Sequence, residues 1–430
     1  MSTARHSSNL LPGTAQDVPL VVGVFDALRA SSTDGIGITR EAYTGKESQA
    51  LDIVERSARE AGLTTARDAG ANLVVTLEGS EPELPYIACG SHLDSVPQGG
   101  NFDGAAGVVA GLAVLASFIR DGFRPRRTIK LFGLRGEESS RFGMAYMGSN
   151  ALFGKLSASD LAVKDSAGEK TLGQCLHEVG ADAEKISRGE PLLDPTAISA
   201  WLELHIEQGP VLATRGLPVG IVTGIRGNVR HRSVECRGEA GHSGAIPRWL
   251  RRDAVFAASE LITHLDRHWR SLLERGRDLV VTCGVLGTDA AEHAIARIPG
   301  SVSFSFEARS QNLETLEAFY DLFRSECDLI AEDRGVTFAF DRRVQSDPAI
   351  MAPALIKTLQ EAARDNGLPD EPLASGAGHD ASVFANAGVS TGMVFVRNEH
   401  GSHNPRESME IADFLAGTAV LRSSIRKMSS

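Results

Sequence analysis

Five short stretches, widely separated along the chain, each carry a side chain able to hold a divalent metal, and a fold must bring them together. They are Ser91-His92-Leu93-Asp94-Ser95, Asn101-Phe102-Asp103-Gly104, Gly136-Glu137-Glu138, Leu204-His205-Ile206-Glu207-Gln208-Gly209-Pro210 and Gly401-Ser402-His403-Asn404-Pro405. A structural zinc cluster is usually local and rich in cysteine, so donors drawn from such distant positions read as an enzyme site.

From about Leu20 to Gly62 the pattern is helical and stops at Ala61-Gly62. Strands and helices then alternate: Asn72 to Leu77 and Tyr86 to Cys89 read as strands, Gly104 to Arg120 as a helix and Thr128 to Leu134 as a strand. His92, Asp103 and Glu137-Glu138 fall just past strand ends or at a helix start, where open α/β sheets bind ligands. Between about Gly224 and Asp341 the character changes. His231 to Arg237 and Leu279 to Leu286 read as strands and Asp253 to Arg275 as a long helix. Ser301 to Arg309 alternates Val302, Phe304, Phe306 and Ala308 with Ser303, Ser305, Glu307 and Arg309. The expected fold is an α/β catalytic domain from residues 20–223 and 342–430, interrupted by an α+β domain over 224–341.

A chain of 430 residues with 42% hydrophobic and 23% charged content accommodates two globular domains. Its net charge of −11 argues against nucleic acid and anionic membrane as partners and favours small solutes. Five dispersed cysteines without a CxxC pair suit reduced thiols in a cytoplasm. The first eighteen residues lack the apolar core of a secretory signal and are expected to fray. Gly107 to Ile119 is too short to span a bilayer and reads as a buried helix.

Imidazoles and carboxylates together suit zinc, cobalt, manganese or nickel. Two metals close together need a bridging ligand, and Asp103, at a helix start beside Gly104, is the natural carboxylate for it. His92 and Asp94 are two apart and point the same way in an extended segment, so Asp94 is placed to accept the proton on the far nitrogen of His92. The neighbouring side chains of Glu137 and Glu138 diverge. Glu138 is therefore assigned as a ligand and Glu137 as the base, since a metal lowers the pKa of its water to about 7 and a nearby carboxylate then takes the proton. Taken singly, each residue has a plainer explanation: a satisfied polar histidine, a solvated Glu-Glu pair, an Asp-Gly turn or helix cap.

The ordered strings around His92, Gly99-Gly100-Asn101-Phe102-Asp103-Gly104 and Glu137-Glu138, with Arg141-Phe142-Gly143 and Gly148-Ser149, resemble the aminoacylase and carboxypeptidase-like dinuclear zinc amidohydrolases. The His205 and His403 strings, with Gly376-Ala377-Gly378-His379-Asp380-Ala381, are similar to their hydantoinase/carbamoylase branch. That branch holds N-carbamoyl-L-amino-acid hydrolases, β-ureidopropionases, and allantoate and ureidoglycolate amidohydrolases. The likeness, running from about residue 20 to 425, implies a mixed-sheet metallo-amidohydrolase domain with an inserted α+β dimerisation (lid) domain, and a homodimer. It also implies two divalent ions per subunit, zinc first, with manganese, cobalt or nickel as alternatives. Carried over, His92, Asp103 and His205 hold one ion, and Asp103, Glu138 and His403 the other, with His400 competing for the last place. Glu137 and Asp94 belong to the catalytic group. His242, in Gly241-His242-Ser243-Gly244, matches the histidine that stabilises the tetrahedral oxyanion and touches substrate. Arg309 matches the arginine that clamps the substrate carboxylate, a task suited to its forked donors. Gln208 and His379 match positions lining the substrate site. His242 as a mere loop support, and Arg309 as a surface charge, remain open.

Two departures touch recognition. The branch usually has Asn where this chain has Ala296, and Thr-Thr-Pro-Met where it has Ala245-Ile246-Pro247-Arg248. The reading is metal-dependent hydrolysis of a C–N bond in an N-carbamoyl (ureido) amino acid or related ureido acid. An N-acyl amino-acid deacylase, a dipeptidase or a hydrolase of an unusual amide shares the same catalytic residues. A metal-binding protein without catalysis predicts a missing base or ligand, yet all are present. A nucleotide site at Gly220 to Gly227 lacks any phosphate-loop fingerprint.

Overall fold

The alternating runs after Asn72 build a mixed nine-stranded sheet in the computed structural model, which describes Leu11 and residues 13–430. Its central order is Val219–Ile225, Thr391–Val396, Ile198–Ile206, Tyr86–His92, Ile129–Leu134, Leu73–Leu77 and Thr64–Arg67. Tyr86–His92 runs parallel to Ile198–Ile206 and Ile129–Leu134, and Ile198–Ile206 parallel to Thr391–Val396. Parallel strands are covered on both faces, so Tyr86–His92 is buried at every position instead of alternating. The helix Ala105–Arg120 joins a core shared with Val18–Ser32, Gly45–Glu60 and Ile411–Met428, which accounts for the apolar run at Gly107. Among the described residues no helix is long and apolar enough to cross a membrane.

This sheet belongs to a unit that takes the chain up to Ile225 and resumes at Ile350. A second unit, Arg226–Ala349, has an antiparallel sheet ordered Val280–Thr282, Ser301–Ser310, Gly227–Arg237 and Thr337–Phe340. Helices Ala254–Glu274 and Leu313–Arg334 share its core, where Phe306 stacks on Phe323 with centroids 3.9 Å apart. The second unit continues to Ala349, beyond the 341 read from sequence, because Val344–Ser346 pairs with Gly227–Arg237.

Three expectations change. The helical run from Leu20 to Gly62 breaks: Val18–Ser32 ends in a hairpin of Thr33–Asp34 with Gly37–Ile38, and Gly45–Glu60 begins anew, capped by the Thr44 hydroxyl accepting from Glu47 N. The Asp34-Gly35 turn is the signal that overrode the periodicity. Leu279 to Leu286 splits into Val280–Thr282 and Leu286–Gly287, since Gly284 and Val285 donate to the Ser305 hydroxyl instead of continuing the ladder. Of the first eighteen residues, expected to fray, 1–10 and 12 lie outside the described residues, whereas Thr14 and Asp17 are buried and Asp17 pairs with Arg120 and Arg422.

Candidate metal centre

The strand Tyr86–His92 ends in His92, Ile198–Ile206 carries His205, Ile129–Leu134 leads to Glu137-Glu138, and Thr391–Val396 leads to the His403 loop. Parallel pairing places these carboxyl ends side by side. Asp103 comes from the turn before Ala105–Arg120. It caps nothing: the residue preceding the helix is Gly104, at φ +66, with no side-chain cap. Only glycine fits there, because a Cβ would sit 2.4 Å from the His92 ring in an already left-handed backbone.

Two donor clusters form around Asp103: His92, Asp103 and His205, and Asp103, Glu138 and His403. Asp103 Oδ1 lies 3.9 Å from His92 Nε2 and 3.3 Å from His205 Nε2, while Oδ2 lies 3.3 Å from His403 Nε2. Glu138 Oε1 is 3.0 Å from His403 Nε2. His403, at φ +59, occupies this place; the cluster does not include His400, whose carbonyl accepts from Asn404. Glu137 and Glu138 are 8% and 6% exposed, so the pair is no solvated surface feature. Glu137 Oε2 stands 3.9 Å from His92 Nε2.

The far nitrogens set the tautomers. His92 Nδ1 faces the Asp94 carbonyl oxygen at 3.1 Å and His205 Nδ1 faces that of Ile206 at 3.0 Å. A carbonyl only accepts, so each Nδ1 carries a proton, and His205 Nε2 in turn accepts from Gly104 N at 3.2 Å. The Asp94 carboxylate, expected to take that proton, is instead 3.4 Å from His92 Nδ1 and engaged elsewhere. Its two oxygens accept from Glu137 N and Glu138 N, both at 3.0 Å, and so hold the acid pair in place.

Charge in the cluster is dense. Burial opposes ionisation of Asp103, yet His403, His205 and His92 hold it below the usual carboxylate range. His403 is raised to about 10 by hydrogen bonds with Asp103 and Glu138. Burial pulls His92 down, but Glu137, Asp94 and Asp103 hold it well above its ordinary value, whereas burial depresses His205 to about 4. Burial pushes Glu137 well above the usual range, with His92 opposing. This donor set fits divalent cations. The buried Asp103 Oδ1 accepts no hydrogen bond although two imidazole nitrogens face it, so its charge is left to a cation.

Gln208 Nε2 donates to Asp103 Oδ2 at 2.9 Å. His379 is buried, 2.9 Å from the Ser375 hydroxyl, and forms a third cluster with Glu203 and His205. His242 and Arg309 lie on the second unit. His242 pairs with Arg297 in a two-residue ribbon, and its Nδ1 accepts from Gly244 N at 3.1 Å, which leaves the proton on Nε2. Arg309 sits in Ser301–Ser310 with Nε 3.0 Å from Glu307.

Sequence reasoning missed several buried groups. Glu47 accepts from Tyr43 N and Gly136 N and pairs with Arg135. Glu203 joins Ser91 to Ala381 N, and Ser149 donates to Asp380. Arg40 and Glu407 are also buried. Glu47 follows Thr44 by three, as in a capping box, and Asp380 lies in a quoted motif; neither signal says that a carboxylate from elsewhere holds a ligand loop.

Residues 88–427 match the family described as Peptidase family M20/M25/M40. The chain is 34% identical over 387 residues to the N-carbamoyl-L-amino acid amidohydrolase of Geobacillus stearothermophilus, covering 90% of this chain and 92% of that protein. It is 32% identical to the allantoate amidohydrolase of Bacillus subtilis (strain 168), over 93% and 94% of the two chains. The crystal structure of a hydantoinase/carbamoylase family amidase from Burkholderia ambifaria superposes with a TM-score of 0.84 at 30% identity, covering 98% of this chain and 97% of that one.

Proposed function

The chain belongs to peptidase family M20/M25/M40, and from that premise we propose that it is a metal-dependent amidohydrolase cleaving a C–N bond of an N-carbamoyl amino acid or related ureido acid. The observation that carries this is the Asp103 carboxylate, with one oxygen toward His92 and His205 and the other toward His403. His92, Asp103 and His205 would hold one divalent ion, and Asp103, Glu138 and His403 a second, zinc before manganese, cobalt or nickel. Such ions, when bound, polarise the carbonyl and make water acidic.

The chain's own groups do the rest. Asp94 fixes the Glu137 backbone, so the Glu137 carboxylate takes the proton of the attacking water and later delivers it to the leaving nitrogen. His242 donates its Nε2–H to the developing oxyanion. Arg309 clamps the substrate carboxylate, with Gln208 and His379 lining the site. For an N-carbamoyl amino acid, one water yields the amino acid, ammonia and carbon dioxide. The protein is taken as a cytoplasmic homodimer. Five cysteines outside any disulfide support the compartment, and exposed apolar side chains on the second unit, Trp249 and Ile295 among them, support the dimer.

The test is ammonia release by chelated and then zinc-, manganese-, cobalt- or nickel-reloaded protein from N-carbamoyl amino acids, allantoate, ureidoglycolate and N-acyl amino acids. Metal-dependent ammonia from a ureido compound is the expected result. Amino acid released only from acyl compounds, without ammonia, moves the assignment to a deacylase.

A further inference from the structure

The turn that presents Asp103 is held from the far end of the chain. Phe102 N and Asp103 N both donate to Glu407 Oε1, at 2.7 and 3.3 Å. Glu407 lies four residues beyond His403, in a loop closed by paired hydrogen bonds between Glu399 and Ser408 and braced by Asn404, which donates to the carbonyls of His400 and Ser402. One loop therefore brings His403 to Asp103 Oδ2 and supplies the acceptor for the Asp103 backbone. Glu407 is 8% exposed, and its Oε2 has no hydrogen-bond partner. The space is reserved for it: a Cβ at Gly100 would lie 2.1 Å from its carboxyl group. On the same turn, Arg40 donates from Nη1 to Asn101 Oδ1 and from Nε to Leu93 O, tying the Asp103 turn to the segment that carries His92 and Asp94.

We infer that Glu407 is the positioning residue of the bridging carboxylate: by holding the Phe102 and Asp103 N–H groups from the loop that carries His403, its side-chain oxygen sets the geometry and affinity of the metal pair. The arrangement parallels Asp94, which holds Glu137 N and Glu138 N in the other ligand turn. Glu407 Oε1 takes both backbone donors at once, so losing that acceptor leaves Phe102 N and Asp103 N unpaired in a buried turn. Partners that orient metal ligands typically change metal affinity about 10–100-fold when removed. The inference rests on the metal-dependent reading above.

The test titrates the metal-stripped full-length protein with cobalt(II), following both the visible absorption spectrum and the affinity against a competing chelator. The parent is expected to bind two cobalt ions. Glu407→Gln should bind about tenfold more weakly, and Glu407→Ala about a hundredfold, with an altered spectrum. Gly100→Ala should follow Glu407→Ala, because its methyl displaces the carboxylate without deleting it. A folded Glu407→Gln or Glu407→Ala protein with the parent's affinity and spectrum overturns the inference. Should Glu407→Ala fail to fold, Glu407→Gln and Gly100→Ala decide the matter by the same two readouts. A parent that takes up no cobalt overturns the metal-dependent reading itself, a different failure from variants that match a cobalt-binding parent.

Discussion

In the first unit the chemistry-bearing side chains are buried and held by one another. His92, Asp103 and His205 are nearly inaccessible, and the turns bearing Asp103 and Glu137-Glu138 hang on the carboxylates of Glu407, Glu47 and Asp94. In the second unit His242 is exposed on a two-residue ribbon, and Arg309 lies on the polar side of a strand whose other side packs the core. The departures from the carbamoylase pattern fall around His242 too: Ser243 N donates to the Ala296 carbonyl, so Ala296 and Ala245-Ile246-Pro247-Arg248 flank one ribbon. A buried polar network fails if one member is left unpaired, whereas an exposed ribbon over an independent core tolerates change. On the proposed reading, reaction type is built into the first unit and substrate choice is open to variation on the second.

The severest way to break this contrast is Glu137→Gln. Turnover should fall about 10²–10⁴-fold, the usual contribution of a positioned proton acceptor, while metal content by mass spectrometry stays at the parent level. Substantial remaining activity would remove Glu137 from the base role. Stripping the metals tests the same unit by another route. Activity should vanish and the melting temperature fall, since a ligand at about 100 times its Kd stabilises the fold by about 2.7 kcal/mol, and both should return on reloading. An unchanged melting curve after complete stripping would separate the donor cluster from metal binding.

Substitutions on the second unit should act on recognition. Arg309→Ala loses charged hydrogen bonds worth about 1.5–3 kcal/mol, so KM for substrates bearing a carboxylate should rise about 10–100-fold with kcat nearly kept. An equal loss for analogues without the carboxylate would assign Arg309 to structure, through its pairing with Glu307. Ala296→Asn should be milder. A neutral hydrogen bond gives about 0.5–1.5 kcal/mol, hence about a two- to tenfold gain in kcat/KM for N-carbamoyl substrates. No change across the substrate panel would detach position 296 from specificity.

The clustered side chains were legible because His92 and His205 stand at the ends of apolar strands and Glu138 and His403 in the loops after others, and Asp103 because it stands at the start of the Ala105–Arg120 helix. Ser301 to Arg309 was legible because a sheet packed on one face must alternate. What the sequence hid has one physical cause. Glu47, Glu203 and Glu407 act by accepting backbone N–H groups, and those donors are the same at every residue, so no local pattern names the partner. The acceptor of the His92 proton was misjudged for a related reason: Asp94 offers a carbonyl and a carboxylate at the same spot, and the Glu137-Glu138 backbone claims the carboxylate. The break at Asp34-Gly35 was masked in the sequence by helical periodicity on either side, although it creates the segment from which Arg40 is buried.

The smallest effect belongs to the helices of the second unit. His264 and His268, one turn apart on Ala254–Glu274, approach the two oxygens of Glu326 on Leu313–Arg334 at 2.8 and 2.7 Å. Burial opposes ionisation of Glu326, but the hydrogen bonds of the two imidazoles prevail and hold its carboxyl below the ordinary value. A carboxyl depressed in the folded state adds stability that is present above its unfolded pKa, about 4.3, and is lost as pH falls through the folded value. Glu326→Gln should therefore lower the melting temperature at pH 6 by an amount worth about 1 kcal/mol or less, as for partly exposed pairs. The gap between parent and variant should close as the pH is taken below 4. A gap that stays constant down to pH 3.5 would mean that Glu326 joins the two helices by shape and hydrogen bonding alone, with its charge contributing nothing. The second unit would then differ from the first, where the charges of His403, His205 and His92 hold the Asp103 carboxyl below the usual range.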